Sequence, residues 1–297
     1  MGEKCLRGTI LKGIGGFYYA LSEEGAVYTL RAQGKLRRER MKPMVGDDIE
    51  MTPSEGEEHG WILSIGARKN ELVRPPVANI DAILIVMAAA APDPDLYMID
   101  RLILNARLAG IEPRLAVNKC DLDPEGTRRL LAQYARAEVH PMAVCARTGA
   151  GVEALRASLA GRKHALAGQS GAGKSSVINA MYGLSLETGG LSQRIERGKN
   201  TTRHCELIPV PGGGMVLDTP GFSLLETPLV EPEVLKDHYP EFAPYEGQCF
   251  FKPCMHGAEP KCAAREAVAR GEIDPERHAR YVELLSEMRL RWRDRYD

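Results

Sequence analysis

The sequence is poor in aromatic residues, in long apolar runs and in net charge. Aromatics make up only 6% of the 297 residues, so aliphatic side chains must fill most of any core. The most apolar stretch, residues 80–91, is too short to span a bilayer and contains Asp81, and the N-terminus lacks an apolar signal core. The expectation is a soluble, cytoplasmic protein without membrane contact. Lys and Arg number 39 against 40 Asp and Glu, a net charge of -1. On its face that balance speaks against a nucleic-acid partner, because phosphate binding relies on clustered cations that release counterions. A whole-chain sum is blind to clustering, however. Residues 31–42 carry Arg31, Lys35, Arg37, Arg38, Arg40 and Lys42 against the single acid Glu39. A disulfide framework is also missing. Of seven cysteines, Cys5, Cys120, Cys145 and Cys205 are scattered, while the other three fall within 249–262, the pattern of a metal site in a reducing compartment.

What is present divides the chain in three, more than the two domains that length alone suggests. Residues 1–75 alternate short apolar runs with glycine-bearing turns, at 8–11, 17–21, 26–30, 48–51 and 61–65. Five short strands so spaced predict a small closed β-barrel that presents the basic segment as a loop. Pro75-Pro76 marks a boundary. Residues 76–227 alternate strand and helix patterns. Strands are expected at 80–87, 114–117, 139–144, 165–167, 206–210 and 215–217, with helices at 96–108, 126–136, 152–159 and from Lys174. This is the signature of parallel strands with crossover helices, a doubly wound α/β domain. Residues 228–297 turn Pro-rich, then Cys-rich, and end in a helical stretch at 275–295.

The chemistry sits in the middle part. Gly168-Gln169-Ser170-Gly171-Ala172-Gly173-Lys174-Ser175, followed by Ser176, matches a phosphate-binding loop between a strand and a helix. Its glycines let backbone amides face phosphates, Lys174 can reach the β- and γ-phosphates, and the Ser175 hydroxyl can ligate magnesium. Asp218-Thr219-Pro220-Gly221 ends an apolar run 50 residues on. There Asp218 can hold magnesium through water and the Gly221 amide can meet the γ-phosphate; alone, the tetrapeptide is also an ordinary turn. Asn118-Lys119-Cys120-Asp121 follows a strand. A carboxylate at Asp121 accepts both the ring N–H and the exocyclic amine of guanine, donors that adenine does not pair in this way. Cys145-Ala146-Arg147-Thr148-Gly149 would cover the base with backbone amides. Thr201 and Thr202 stand between the phosphate loop and Asp218, where a mobile segment can supply a threonine to magnesium. His140, His164 and His238 read as structural or surface residues.

The order of these elements is unusual. The base-reading segments precede the phosphate loop, whereas an ordinary GTPase has them after it. Because the ends of a compact α/β domain often lie close together, moving the chain break preserves the sheet. We therefore read the central part as a circularly permuted GTPase. Two rivals share the motifs: an ATPase in which 118–121 is merely a turn, and an RNA-binding assembly factor that uses nucleotide only as a conformational ligand.

Further on, Cys249, Cys254, His256 and Cys262 offer three thiolates and an imidazole, a tetrahedral zinc set with no position left open for substrate. A closed site of that kind is structural.

Together these features resemble the ribosome small-subunit-dependent GTPase A family of bacteria. The match extends to Gly46-Asp47-Asp48, to Arg68-Lys69-Asn70 with Leu72 and Arg74-Pro75, and to Glu259-Pro260 before Cys262. The resemblance implies an OB-fold barrel binding 16S rRNA, a zinc knuckle docking on the small ribosomal subunit, and a monomer. It also implies hydrolysis of GTP to GDP and phosphate, stimulated by that subunit during late maturation, with one structural zinc, and magnesium accompanying GTP. Catalysis by the family is associated with a histidine just before the first threonine run. This chain has Asn200 there, and Phe222 stands where many GTPases place a water-orienting glutamine.

Overall fold

The computed structural model describes residues 5–38, 41–54, 59–72, 75–184, 205–218 and 227–295. Five strands open the chain: β1 (Leu6–Ile14), β2 (Phe17–Ser22), β3 (Val27–Ala32), β4 (Asp48–Thr52) and β5 (Gly60–Ile65). They close into a barrel in the order β1-β2-β3-β5-β4, the last strand returning to the first with Leu6 opposite Met51. Period-two alternation turns Ile10, Ala20, Leu30, Ile49, Met51 and Ile62 inward, all nearly solvent-free. The basic segment is not simply a loop. It contains a short helix, α1 (Gly34–Arg38), because Leu36 inserts into the barrel core while its neighbour Lys35 stays exposed.

A short hairpin, β6 (Glu71–Leu72) and β7 (Val77–Ala78), leads out of the barrel. The buried carboxylate of Asp47 fixes this exit. It accepts from Arg68 Nε at 2.7 Å and Nη2 at 2.9 Å, a two-pronged pair.

The central sheet comprises β8 (Ala82–Ala88), β9 (Glu112–Asn118), β10 (Met142–Ala143), β11 (Lys163–Ala167), β12 (Glu206–Pro209) and β13 (Met215–Asp218). Its order is β10-β9-β8-β11-β13-β12. Between strands run α2 (Leu96–Leu108), α3 (Pro124–Gln133), α4 (Val152–Ser158) and α5 (Lys174–Tyr182). Strand β8 is apolar throughout because both its faces are covered. Ile83, Ile85 and Met87 share a core with Ile99, Leu102 and Ile103 of α2, while Leu84 and Val86 pack with Leu155 of α4 and Val177 of α5. Asp95 and Asp123 cap α2 and α3 by accepting from Met98 N and Gly126 N.

Two details depart from the expected parallel sheet. Strand β12 runs antiparallel to β13, because Pro211-Gly212-Gly213-Gly214 turns the chain directly back as a hairpin. The strand expected over 139–144 shrinks to Met142–Ala143 at the sheet edge.

Beyond residue 227 come two 3-10 helices, Pro232–His238 and Pro240–Tyr245, then the cysteine-rich loops, α6 (Ala263–Ala269) and α7 (Pro275–Arg293). This part does not stand apart from the α/β domain. Leu104 of α2 belongs to the same apolar cluster as Phe242, Tyr281 and Leu285. Arg277 of α7 pairs with both Asp100 of α2 and Glu241, all three buried, and Arg280 Nε meets Asp100 at 2.6 Å. No helix among the described residues is long and apolar enough to cross a membrane.

Candidate functional site

Strands β8, β9, β11 and β13 are mutually parallel neighbours, so their C-terminal ends share one edge of the sheet. Ala88 lies opposite Asn118, Ala167 opposite Ile85, and Leu217 opposite Ala165. The strand ends therefore place Asn118, Gly168 and Asp218 along that one edge, stepped by about two residues from each strand to the next. Sequence order also reverses there: β8, β9 and β10 run outward to one side, and β11 lies on the other. In open α/β sheets such a switch point is where ligands bind.

The glycine loop spans the step from β11 to α5. Gly168 has φ +132°, and a Cβ there would lie 2.0 Å from the Val86 carbonyl oxygen. Gly173 has φ +92°, and its Cβ would meet Asn118 Nδ2 at 2.3 Å. No side chain fits at either position, so the backbone passes close against the sheet. Gly173 caps α5 without a side-chain hydrogen bond, so no side chain of the cap covers the amides of the first turn, where an anion is favoured. Lys174 Nζ donates to the carbonyls of Gly168 at 2.7 Å and Gln169 at 2.8 Å. Burial lowers the pKa of this ammonium below the usual lysine range, so charge on an incoming group would compensate a desolvated cation. Ser175 and Ser176 occupy the first turn of α5. The Gln169 side chain accepts from Asp95 N at 3.1 Å, tying the loop to the start of α2.

The two expected base-reading segments meet one another. Asn118 is buried and acts as a strut: Nδ2 donates to the Ala172 carbonyl at 2.9 Å, and Oδ1 accepts from Ala146 N at 3.1 Å. The Ala146 amide, expected to cover a base, is thus engaged with Asn118. Lys119 adopts φ +59° and sends Nζ to the carbonyls of Gly171, at 2.9 Å, and Ala91. Asp121 accepts from Cys145 Sγ at 3.0 Å and Arg147 Nη2 at 2.6 Å, and the thiol and the guanidinium together hold its carboxyl below the usual range. Burial pushes the Cys120 thiol up. Sequence reasoning missed the strut role of Asn118 and the Arg147–Asp121 pair, since neither partner is fixed by spacing along the chain.

Thr201, Thr202 and Gly221, together with Asn200 and Phe222, lie outside the described residues. Asp218 ends β13, as the sequence pattern required. A cavity of about 670 Å³ lies between α3 and the start of α7, lined by residues including Arg129, Gln133 and Glu276. None of the motif residues lines it.

Cys249, Cys254, His256 and Cys262 converge, all buried, with ligand atoms within 4.8 Å of one another. Their spacing tests the zinc reading. Bond lengths of about 2.3 Å to sulfur and about 2.0 Å to nitrogen give tetrahedral edges of about 3.8 Å for S···S and about 3.5 Å for S···N. Cys249 and Cys262 Sγ are 3.8 Å apart, and His256 Nδ1 is 3.4 to 3.6 Å from the three sulfurs. The donor set therefore fits a four-coordinate zinc. His256 Nε2 meets Glu246 Oε1 at 2.6 Å, and Lys236 Nζ meets Oε2 of the same carboxylate at 2.9 Å. A carboxylate behind a metal-binding imidazole fixes its tautomer and orientation. Glu246, ten residues before His256, carried no signal in the sequence.

A glycine loop at the switch point of this sheet, with the guanine-type motif upstream of it, defines a circularly permuted GTPase. The chain belongs to the RsgA GTPase family: the RsgA GTPase model matches residues 65–228 and the RsgA N-terminal domain model residues 7–62. As a member it is a GTP-hydrolysing enzyme with an OB-like barrel. It is 43% identical over 289 residues to a small ribosomal subunit biogenesis GTPase of Geobacillus thermodenitrificans, covering 96% of this chain and 98% of the relative. A relative of the same description from Agathobacter rectalis is 40% identical over 299 residues, covering 96% and 99%. The crystal structure of YjeQ from Thermotoga maritima matches with a TM-score of 0.84 at 34% identity, covering 96% of this chain and 99% of that one. YloQ, described as a circularly permuted GTPase, matches with 0.81 at 31% identity over 97% and 96%.

Proposed function

We propose that this sheet edge binds GTP and hydrolyses it to GDP and phosphate, and that the small ribosomal subunit, through its 16S rRNA, stimulates the reaction during late subunit maturation. The observation that carries the reading is the convergence of Asn118, Gly168 and Asp218 on one edge although the chain presents them in permuted order. The ribosomal part is supported by the relatives, which are named for small-subunit biogenesis.

In this reading Asp121 accepts the ring N–H and amine of guanine, and Lys119 and Cys120 shape the floor of the base site. Asn118 holds the phosphate loop and the segment Cys145, Ala146 and Arg147 at a fixed separation. Gly168, Gln169, Ser170, Gly171, Ala172 and Gly173 wrap the phosphates, and Lys174 turns from the loop carbonyls to the β- and γ-oxygens. Magnesium supplied with GTP neutralises charge at those oxygens; Ser175, Thr201 or Thr202, and Asp218 through water, are the residues that would hold it. The Gly221 amide would meet the γ-phosphate as water attacks in line. Slow turnover is expected of the free protein, because neither Asn200 nor Phe222 offers the glutamine that orients water. The zinc is structural, with all four ligand positions filled by protein.

The test is multiple-turnover GTP hydrolysis with and without purified small subunits. Stimulation is expected in the wild type, and Lys174→Ala should abolish turnover. A rate indifferent to subunits, while Lys174→Ala still bound them normally, would refute the coupling.

A further inference from the structure

Arg147 is paired with Asp121, the carboxylate to which the proposed function assigns the guanine base. Guanine presents to a carboxylate one edge of a guanidine unit, a ring N–H and an amine on a shared carbon. The side chain of Arg147 is itself a guanidinium, and its Nη2 donates to Asp121 Oδ2 at 2.6 Å. The other oxygen, Oδ1, already accepts from Cys145 Sγ at 3.0 Å. Both oxygens of the base-reading carboxylate are therefore engaged by N–H and S–H donors of the chain. These two donors are not equivalent. Cys145 is buried at 2% exposure and fixed by its amide to the Ala150 carbonyl at 2.9 Å. The Arg147 side chain is 79% exposed and can swing into solvent without disturbing any packing.

We infer that Arg147 is a displaceable latch on the base site, mimicking guanine at Asp121 in the nucleotide-free protein and leaving when guanine binds. Cys145 remains throughout as the fixed donor that orients the carboxylate. This inference rests on the reading of Asp121 as the guanine carboxylate. Its consequence is a competition: every GDP or GTP that binds must first break the ion pair. Exposed pairs of this kind are weak, so the latch tunes affinity and does not block the site. Removing it should tighten guanine nucleotides by about two- to fivefold. Because the latch is electrostatic, that difference must fade with salt, the screening length falling to about 3 Å at 1 M.

The experiment is calorimetric titration of the full-length protein with GDP, in 0.1 M and 1 M sodium chloride, for the wild type, Arg147→Ala and Asp121→Asn. The latch requires Arg147→Ala to bind GDP about two- to fivefold more tightly at low salt, with the ratio approaching one at high salt. Weaker binding by Arg147→Ala would show that the guanidinium supports the base, and an unchanged affinity would show that it does not compete; either overturns the inference. Asp121→Asn separates this from the underlying reading. An amide in place of the carboxylate should lose GDP and gain xanthosine diphosphate, whose carbonyl replaces the amine. If Asp121→Asn keeps GDP affinity, the guanine reading fails and the latch with it. If it switches base while Arg147→Ala does nothing, only the latch fails.

Discussion

Two buried polar side chains show what single residues contribute here. The side-chain amide of Asn118 joins Ala172 of the phosphate loop to Ala146 of the neighbouring loop, in the narrow space that Gly173 leaves beside it. Asn118→Ala removes both hydrogen bonds and leaves buried partners unsatisfied, a cost of about 1 to 3 kcal/mol for each stranded group. Denaturant unfolding should show that loss, and GDP titration should show weakened binding although Asp121, the proposed guanine acceptor, is intact. His164, in β11 ahead of the loop, is solvent-free, with Nε2 3.2 Å from Tyr182 Oη and Nδ1 3.3 Å from the Arg162 carbonyl. The neutral ring satisfies both contacts if Nδ1–H donates and Nε2 accepts from the phenol. Burial pushes its pKa down from 6.5 to about 4. The unfolded chain thus takes up a proton below pH 6.5 that the folded chain refuses until about pH 4. Stability from this group is complete above pH 6.5 and declines as the pH falls toward 4, by about 3 kcal/mol in all. His164→Gln should lose that extra acid sensitivity. If wild type and variant lose stability in parallel between pH 7 and 4, the buried imidazole is not the cause.

Among the elements, those whose instructions are local were legible in the sequence. The five barrel strands, α2 at Leu96–Leu108 and the loop-to-helix step at Lys174 all follow from apolar period, caps and glycines carried within a dozen residues. Strand β12 was expected, but its antiparallel direction was missed although Pro211-Gly212-Gly213-Gly214 signalled a hairpin. The packing of α7 on α2 could not be read at all, because Arg277 and Asp100 lie 177 residues apart and nothing local pairs them. In the candidate site, residue types and spacing identified the motifs, while partner choice, such as Arg147 on Asp121 or Glu246 behind His256, depended on the folded geometry. The cysteine-rich loops lie between those extremes: the ligand set was legible, its support was not. Cys249, Cys254 and Cys262 share an apolar cluster with Phe242 and Tyr281, so the proposed zinc and this core would form one folding unit. Cys262→Ser should lose zinc and, with it, the cooperative unfolding of residues beyond 227, since apparent zinc-binding energy of roughly 10 kcal/mol or more is coupled to such folds. Glu246→Gln is the finer test. It keeps all four ligands but removes the carboxylate behind His256, and zinc affinity measured by chelator competition should fall about 10- to 100-fold.

At the scale of the whole molecule, the barrel is joined to the strands that frame the candidate site. Lys163 of β11 pairs with Asp48 of the barrel at 2.6 Å, and Lys12 of β1 with Glu206 of β12 at 3.0 Å. Anything that seats the barrel therefore bears on the strand that carries the phosphate loop. The near-zero net charge of -1 limits how such seating on RNA can work. Bulk attraction is absent, so the proposed RNA binding would rely on a few placed cations, of which Arg31 and Lys35 are exposed on the barrel. Leu36 anchors α1 in the core, and Arg31 lies over the Phe17 ring at 4.2 Å from its centre, a cation and an aromatic face together, as single-stranded nucleic acid favours. Each phosphate contact adds a little under one to the slope of log affinity against log salt. We expect a shallow slope for binding to purified small subunits, reduced by about one for each of Arg31→Glu and Lys35→Glu. Arg293→Glu, an equal charge change on an exposed face of α7, should leave the slope unaltered. If all three substitutions weaken binding alike, net charge and not placement governs the association. If only Arg293→Glu does, the contact lies on the C-terminal helix and the barrel is not the RNA-facing part.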